Sequence, residues 1–189
     1  RRMRKTVVAL ASDDVWFPRY RDALPEGCVT VQGGKERRHS VLAGIELLID
    51  DFPAESWVVV HDAARPCVRE EDIDILLDSL SGSTIGGILA TPLNDTVKAC
   101  DEERNILETV PRGNLWKALT PQMFRLGLLR DALQFSISND LPVTDEAQAV
   151  QSFGETPLVV TGHADNIKIT EPEDLKLAGS ILTMQEESE

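Results

Sequence analysis

The sequence has few cysteines and lacks a long apolar run. Its three cysteines, Cys28, Cys67 and Cys100, are widely spaced among 189 residues, which argues against a disulfide framework or a zinc cluster. No apolar run approaches the roughly 20 residues that cross a bilayer, and no apolar signal segment follows the basic start at Arg1. We therefore expect reduced thiols, a cytoplasmic location and no membrane partner.

Basic residues are also in short supply. Lysine and arginine number 19 against 32 aspartates and glutamates, which gives a net charge of -13. A chain this acidic is a poor general ligand for nucleic acid or an anionic membrane. It can still bind a small phosphorylated substrate, because a few arginines and lysines can converge locally.

Strand and helix patterns alternate along the chain. The alternation predicts an α/β fold built on a mainly parallel, doubly wound (Rossmann-like) sheet, and the length suits one domain over residues 1–189. Short apolar, often β-branched runs predict strands at 6–11, 28–31, 58–60, 85–92, 115–122, 158–160 and 166–169. Helical spacing predicts helices at 40–49, 70–80, 124–137, 144–150 with Thr144 as its cap, and 172–182, while 14–27 reads as a short helix or loop.

Residues 92–114 interrupt this alternation. Two apolar stretches, 96–100 and 106–110, flank a polar turn and predict a β-hairpin. An isolated hairpin is marginally stable in water. We therefore favour an arm that docks on a second subunit over a solvated flap.

In the stretch 58–66, polar residues follow directly after the predicted strand 58–60. They therefore lie at the carboxyl end of that strand, where ligands bind in open α/β sheets. Asp62 lies three residues before Arg65, and a carboxylate beside an arginine stays ionised and suits a magnesium ion facing phosphate. Ala63 and Ala64 leave room for a ligand. The same pair could instead be a turn cap with its surface ion-pair partner.

Further polar groups lie at the ends of other predicted elements. Gly33 and Gly34 follow the second strand, where they could bind an anion or a base edge or simply form a turn. Asp62 and Asp165 carry the carboxylates that magnesium prefers, and the cations that could hold phosphates are Arg65, Arg112 and Lys168. Such an inventory suits phosphoryl or nucleotidyl transfer. The histidines His39, His61 and His163 show no triad spacing and are expected to serve as hydrogen-bonding residues.

Five motifs carry a resemblance to a known family. They are Gly33-Gly34 with Ser40-Val41-Leu42-Ala43-Gly44, His61-Asp62-Ala63-Ala64-Arg65-Pro66, Leu115-Trp116-Lys117-Ala118-Leu119-Thr120-Pro121-Gln122, Thr144-Asp145-Glu146-Ala147, and Ala164-Asp165-Asn166-Ile167-Lys168-Ile169-Thr170. In this order, and over nearly the whole chain, they resemble the 2-C-methyl-D-erythritol 4-phosphate cytidylyltransferases. The resemblance implies an enzyme that joins CTP to methylerythritol phosphate and releases pyrophosphate in the non-mevalonate route to isoprenoids.

The resemblance also implies which residues bind the nucleotide. Gly34 and Ser40 would read the cytosine, with Gly33 and Ala63 beside the nucleotide. Lys35 stands where the family often has an acid, so that base or ribose contact differs from the family pattern.

The remaining roles implied by the resemblance concern the reacting groups. Asp62 and Asp165 would place magnesium, and both would act in catalysis together with Arg65 and Lys168. Thr120 and Thr144 would line the pocket.

The resemblance further implies a homodimer with shared sites. Thr96 and Arg112, on the hairpin, would reach the methylerythritol phosphate of the other subunit.

The N-terminus departs from the family pattern. The family begins with a strand, a Pro-Ala-Ala-Gly-x-Gly-x-Arg-Met triphosphate loop and a Pro-Lys-Gln segment, and only Arg1-Arg2-Met3 could match the end of that loop. We expect this polypeptide to lack the loop and its catalytic lysine, and to be inactive alone. The alternatives are a ribitol 5-phosphate cytidylyltransferase and a catalytically inactive nucleotide-binding or dimerisation module.

Overall fold

A computed structural model describes residues 3–187 of the chain. Contacts within it define two compact units, which are described separately. Unit 1 comprises residues 3–60, 84–86 and 124–157, and unit 2 comprises 61–83, 87–123 and 158–187. The residues Arg1 and Arg2, which we matched to the end of a triphosphate loop, lie outside the described range, as do the last two residues of the acidic tail. The assignment of 1–189 to one domain stays a prediction.

The order of elements follows the predicted alternation of strands and helices. In chain order they are β1 (Thr6–Leu10), β2 (Cys28–Gln32), α1 (Arg37–Ile49), β3 (Trp57–Val60), α2 (Glu70–Leu80), β4 (Gly86–Pro92), β5 (Val97–Cys100), β6 (Ile106–Val110), β7 (Trp116–Arg125), α3 (Leu126–Ser138), α4 (Glu146–Ser152), β8 (Leu158–Thr161) and α5 (Pro172–Glu186). Two short 3-10 turns lie between β1 and β2, at Phe17–Arg19 and Arg21–Ala23, as expected for 14–27. The mixed α/β class is therefore confirmed.

Unit 1 is built on a parallel strand pair. β1 and β2 run parallel with Thr6 opposite Cys28 and Leu10 opposite Gln32, and α1 packs on both strands. Helix α3 contacts α1 and α4, and its apolar side chains Leu129 and Leu133 are fully buried. This packing fixes the turn between β2 and α1 at one end of the strand pair.

Unit 2 is built on β7, β4 and β8, which are neighbours in that order. β4 and β8 are parallel, with Gly87 opposite Leu158. A Cβ atom at Gly87 would lie 2.3 Å from the Leu158 carbonyl oxygen, so only glycine permits this close approach. Helix α2 packs on β8.

Helix α5 packs on a small apolar cluster of unit 2. Ala178 and Ile181 are buried with Cys67, and Ile167 and Ile169 pack against them. The helix begins at Pro172, as predicted, behind a reciprocal capping box of Glu171 and Asp174. The segment 167–171, which leads into α5, is therefore fixed by the packing of Ile167 and Ile169 and by the capping box at Glu171.

The predicted hairpin is confirmed within unit 2. β5 and β6 are antiparallel with Val97 opposite Val110, and the register shifts between Ala99 and Cys100. Ile106 and Leu107 on β6 are 64% and 67% exposed. Two large apolar side chains are thus left at the surface of the arm.

Three local predictions were wrong. Residues 166–169 form no strand; the Ile167 amide donates to the Asp165 carbonyl at 2.7 Å and the Ile169 amide to that of Ala64 at 2.8 Å, so the segment turns instead of pairing. The cap of α4 is Asp145, which accepts from the Gln148 amide, and not Thr144. Helix α1 begins at Arg37 rather than at residue 40. The apolar pattern missed its first turn because that turn is polar and charged.

Across residues 3–187, no helix is both long enough and apolar enough to cross a membrane.

Candidate active site

Asp62 is the centre of a charged cluster in unit 2. One of its carboxylate oxygens lies 3.0 Å from the Lys168 ammonium and 3.7 Å from Nε of Arg65. The Asp62 side chain is only 14% exposed, whereas that of Lys168 is 43% exposed. Two cations thus converge on one carboxylate, and the lysine is open to a solvent-borne ligand.

Arg65 is buried rather than a surface ion-pair partner. Only 8% of the residue is exposed, and its Nη1 donates to the Asn166 carbonyl oxygen at 2.8 Å. Asn166 is fully buried and donates from Nδ2 to the Thr120 carbonyl oxygen at 2.8 Å. Asn166 therefore ties Arg65 to Thr120, a role that the sequence did not reveal although the residue lies in a recognised motif.

Thr120 also connects two residues that follow β3. Its Oγ1 accepts from the Asp62 amide at 3.1 Å and lies 3.0 Å from Nδ1 of His61, while Nε2 of His61 lies 3.0 Å from the Arg65 carbonyl oxygen. Because a carbonyl can only accept, Nε2 carries the proton, and the Thr120 hydroxyl donates to Nδ1. This chain of bonds holds the backbone around Asp62.

The protonation of His61 agrees with that arrangement. Desolvation of the ring lowers the pKa of His61 below its ordinary value, and this outweighs the opposing backbone hydrogen bond to Arg65 and the charge of Asp62. The ring is therefore neutral at pH 7, as an Nδ1 acceptor requires. The expectation that His61 serves as a hydrogen-bonding residue is confirmed.

Replacing Thr120 with valine tests this chain of bonds. Thr120→Val keeps the shape but leaves the Asp62 amide without its acceptor and Nδ1 of His61 without its donor, so we expect the free energy of unfolding to fall by about 1–3 kcal/mol. Urea denaturation followed by tryptophan fluorescence measures the change. Thr120→Ser retains the hydroxyl and should lose less; equal losses in the two variants would contradict the proposed bonds.

Asp165 is held by a different cation. Its Oδ2 accepts from Nη2 of Arg69 at 2.6 Å, from Nε of Arg69 at 3.1 Å and from Nε2 of Gln185 at 3.3 Å. Burial raises the pKa of the Asp165 carboxyl, but the hydrogen bonds from Arg69 and Gln185 and the charge of Arg69 outweigh it, so the pKa lies below its ordinary value. Asp165 is thus ionised at neutral pH. Neither Arg69 nor Gln185 belongs to a pattern that could have marked it in the sequence.

The two carboxylates fit a magnesium ion only in part. Among the described residues, no group of three or more histidine, cysteine, aspartate or glutamate side chains is arranged to hold a metal. Magnesium commonly uses one or two carboxylates together with substrate phosphates and water. Asp62 and Asp165 suit that mode, although Oδ2 of each already faces a cation.

Unit 1 contains the predicted nucleotide-binding turn. The Gly33 amide donates to the Leu10 carbonyl oxygen at 2.7 Å, and the Gly34 amide donates to Oγ of Ser40 at 3.1 Å. A Cβ atom at Gly34 would lie 2.3 Å from that of His39, so the turn requires glycine there. Lys35 is exposed at the tip of this turn.

Thr144 lies elsewhere in unit 1. It is exposed, and its amide and hydroxyl both donate to Oε1 of Gln148, at 2.8 and 2.9 Å. A shallow surface depression here is lined by Thr144, Asp145 and Glu146 together with Arg37 and Arg38. Thr144 thus borders a polar recess, and its assignment to a substrate pocket stays a prediction.

The remaining predicted residues belong to unit 2. Ala63 is exposed next to Asp62, and Thr96 is exposed just before β5. Arg112 follows β6, is exposed and donates to the Asn94 carbonyl oxygen. The structure therefore gathers Asp62, Arg65, Thr120 and Lys168 in one cluster, with Asp165 next to Asn166, and places Thr96 and Arg112 at the base of the hairpin.

Comparison with known proteins gives a consistent result. The family model described as IspD, 2-C-methyl-D-erythritol 4-phosphate cytidylyltransferase, matches residues 1–184. A Vibrio parahaemolyticus protein with that enzyme's name is 48% identical over 181 residues, which cover 96% of this chain and 77% of the relative. A Hahella chejuensis protein of the same name is 46% identical over 180 residues, covering 94% and 75%.

Solved structures agree with the sequence relatives. A crystal structure of a 4-diphosphocytidyl-2C-methyl-D-erythritol synthase superposes with a TM-score of 0.85 and 35% identity, covering 95% of this chain and 83% of the other. The Francisella tularensis 2-C-methyl-D-erythritol 4-phosphate cytidylyltransferase superposes with a TM-score of 0.81 and 38% identity, covering 94% and 80%. These neighbours confirm the Rossmann-like nucleotidyltransferase fold.

Proposed function

Because the chain belongs to the 2-C-methyl-D-erythritol 4-phosphate cytidylyltransferase family, we propose that it joins CTP and 2-C-methyl-D-erythritol 4-phosphate into CDP-methylerythritol. Pyrophosphate is the second product, and the reaction serves the non-mevalonate route to isoprenoids. The observation that carries this proposal is the position of Asp62, two residues after β3, between the exposed Lys168 and the buried Arg65. Transfer between phosphorylated substrates requires positioned groups that neutralise phosphate charge, and Lys168 and Arg65 are cations of this kind.

The proposed chemistry is an in-line displacement without a covalent enzyme intermediate. A phosphate oxygen of methylerythritol phosphate attacks the α-phosphorus of CTP, the new P–O bond forms, and the bond to the β-phosphate breaks to release pyrophosphate. Negative charge accumulates on the phosphoryl oxygens in the transition state. Lys168 is exposed and therefore able to reach these oxygens, and Arg65 is fixed by Asn166 to orient the polyol phosphate.

We assign cytosine recognition to the turn in unit 1. Gly34 and Ser40, which are joined by a hydrogen bond across the turn, are assigned to the base edge. Gly33 fits the tight packing beside them, because a Cβ atom there would lie 2.9 Å from Oγ of Ser40. Lys35 at the tip contributes a cation where an acid is common in the family, and Ala63 in unit 2 leaves space beside Asp62. Thr120 and Thr144 are assigned to pocket walls.

Magnesium is the proposed cofactor, with Asp62 and Asp165 as its protein ligands. When bound, the ion would neutralise phosphate charge and make the α-phosphorus more electrophilic. Lys168 and Arg69 would orient the two carboxylates for this task. We therefore expect activity to vanish in EDTA and to return with excess magnesium.

We further propose a homodimer formed through the 92–114 arm, with Thr96 and Arg112 contributed to the partner's polyol site. Exposed Ile106 and Leu107 supply apolar surface for such an interface. Multi-angle light scattering should give twice the chain mass for the full-length gene product. The double variant Ile106→Asp with Leu107→Asp should be monomeric, whereas Leu177→Asp on the exposed face of α5 should remain dimeric. A monomeric unmodified protein at tens of micromolar would contradict the proposal.

The cytoplasm is the proposed location. All three cysteines are free thiols, which is typical of a reducing compartment.

A direct substrate comparison tests the proposed function. The full-length gene product is incubated with CTP and either methylerythritol phosphate or ribitol 5-phosphate, and pyrophosphate release is followed with a coupled assay. We expect a kcat/KM at least about 100-fold higher for methylerythritol phosphate. Preference for ribitol 5-phosphate would establish the alternative polyol, and no release with either would favour an inactive nucleotide-binding or dimerisation module.

A further inference from the structure

Unit 1 contains a half-buried ion pair, in which only the carboxylate is fully buried, and the proposed chemistry does not use it. Arg37 is the first residue of α1 and Glu146 the first residue of α4. Nη1 and Nη2 of Arg37 donate to the two carboxylate oxygens of Glu146, the second at 2.9 Å. Glu146 is fully buried, and a carboxylate in that position is costly unless it is paired in this bidentate way.

The partner of Glu146 lies in the segment 33–40, which comprises the turn after β2 and the first turn of α1 and which we assign to cytosine recognition. Arg37 lies three residues after Gly34 and three residues before Ser40, the two residues joined by the hydrogen bond across the turn. The turn starts at the end of β2, where the Gly33 amide is fixed to the Leu10 carbonyl. Its other end, at the start of α1, has no side-chain cap from Glu36. Arg37 therefore supplies the side-chain anchor for that end.

A neighbouring residue ties the same turn to the same part of unit 1. Arg38 donates to the Leu141 carbonyl oxygen and lies 2.8 Å from Glu36 in the turn. Two consecutive arginines thus connect the turn to the segment from Leu141 to Glu146. A shift of α4 relative to α1 would move the turn.

We propose that the Arg37–Glu146 ion pair positions the Gly33–Ser40 turn for cytosine recognition, so that Arg37 and Glu146 are positioning residues for CTP. The inference rests on the proposed function and deepens it, because it names residues on which nucleotide affinity depends without touching the nucleotide. The planar guanidinium group donates two parallel hydrogen bonds, which are possible in only one orientation of the carboxylate. The pair therefore fixes the orientation of the first turn of α1.

Glu146→Gln is the first test. The amide keeps the size of the side chain and one acceptor oxygen but replaces the other with a donor that faces the guanidinium. In the full-length gene product we expect KM for CTP to rise by about tenfold or more, with KM for methylerythritol phosphate unchanged and kcat within about threefold. Asp51→Asn is the matched control, since it removes the partner of Lys5 elsewhere in unit 1 and should leave both KM values unchanged.

The double variant Arg37→Met with Glu146→Leu separates positioning from stability. Buried ion pairs replaced by apolar residues of similar volume often keep or gain stability, so this variant should fold even where Glu146→Gln does not. We expect its thermal midpoint to match the parent while KM for CTP stays high. A parent-like KM for CTP in either folded variant, or an equal rise of both KM values, would overturn the proposal.

Calorimetric titration with CTP alone keeps the two proposals distinguishable. An unmodified protein that binds CTP but releases no pyrophosphate would refute the proposed reaction, yet the dissociation constants of the variants would still test the positioning role. Weaker CTP binding in Glu146→Gln and in the double variant supports that role, and unchanged binding refutes it.

Discussion

Asp62→Asn should lower cytidylyltransferase turnover about 100-fold or more in the full-length gene product. The amide has the same shape, but it removes the negative charge that faces Lys168 at 3.0 Å and Arg65 at 3.7 Å. The two cations then lose their common partner, and the proposed magnesium ion loses a ligand. Steady-state pyrophosphate release at saturating CTP and methylerythritol phosphate measures the effect.

The control for Asp62→Asn is Asp13→Asn, which makes the same chemical change at an exposed position. It should retain the parent turnover. Circular dichroism should show the same helix content for all three proteins. Turnover of folded Asp62→Asn within threefold of the parent would contradict the role of this carboxylate.

Lys168→Met should also reduce turnover by about 100-fold, because it removes the exposed cation that we assign to phosphoryl charge. The side chain is 43% exposed, so its ion pair with Asp62 adds less than about 1 kcal/mol to the free energy of unfolding. The loss should therefore appear in kcat with little change in the thermal midpoint. Turnover and differential scanning fluorimetry on the same preparations separate the two effects.

Lys168→Arg and Lys176→Met complete that experiment. Arginine keeps the charge but not the compact ammonium, so it should restore part of the turnover. Lys176 lies on α5 and is exposed, so its replacement should have no effect. Equal turnover in Lys168→Met and Lys176→Met would contradict the assignment of Lys168.

The strands and helices could be predicted wherever burial leaves a periodic apolar signal. The runs at β1, β4 and the hairpin correspond to strands in the structure, as their short apolar and often β-branched composition predicts, and β4 is buried on both faces. Residues 166–169 show the limit of this reasoning. Their Ile167 and Ile169 are apolar because they pack near Cys67 and α5, and not because they form a strand.

The same contrast holds for the candidate site. Asp62, Arg65 and Lys168 could be marked because they lie in contiguous motifs, and the structure brings them together. Arg69 could not, because it lies in no motif and its partner Asp165 is distant in sequence. Glu146 lies in a motif, but its pairing with Arg37 could not be predicted because the two residues are distant in sequence. The sequence could not decide between Thr144 and Asp145 as the cap of α4, because both residue types favour that position. The structure decides for Asp145, whose side chain accepts a hydrogen bond from the Gln148 amide.

The proposed reaction joins CTP and methylerythritol phosphate into one diphosphate ester. Phosphorus-31 NMR of the reaction catalysed by the full-length gene product, with magnesium present, observes both products at once. We expect equal amounts of inorganic pyrophosphate and of a new pair of coupled diphosphate signals from CDP-methylerythritol. Release of pyrophosphate with CMP and unchanged methylerythritol phosphate, or no consumption of CTP, would contradict it.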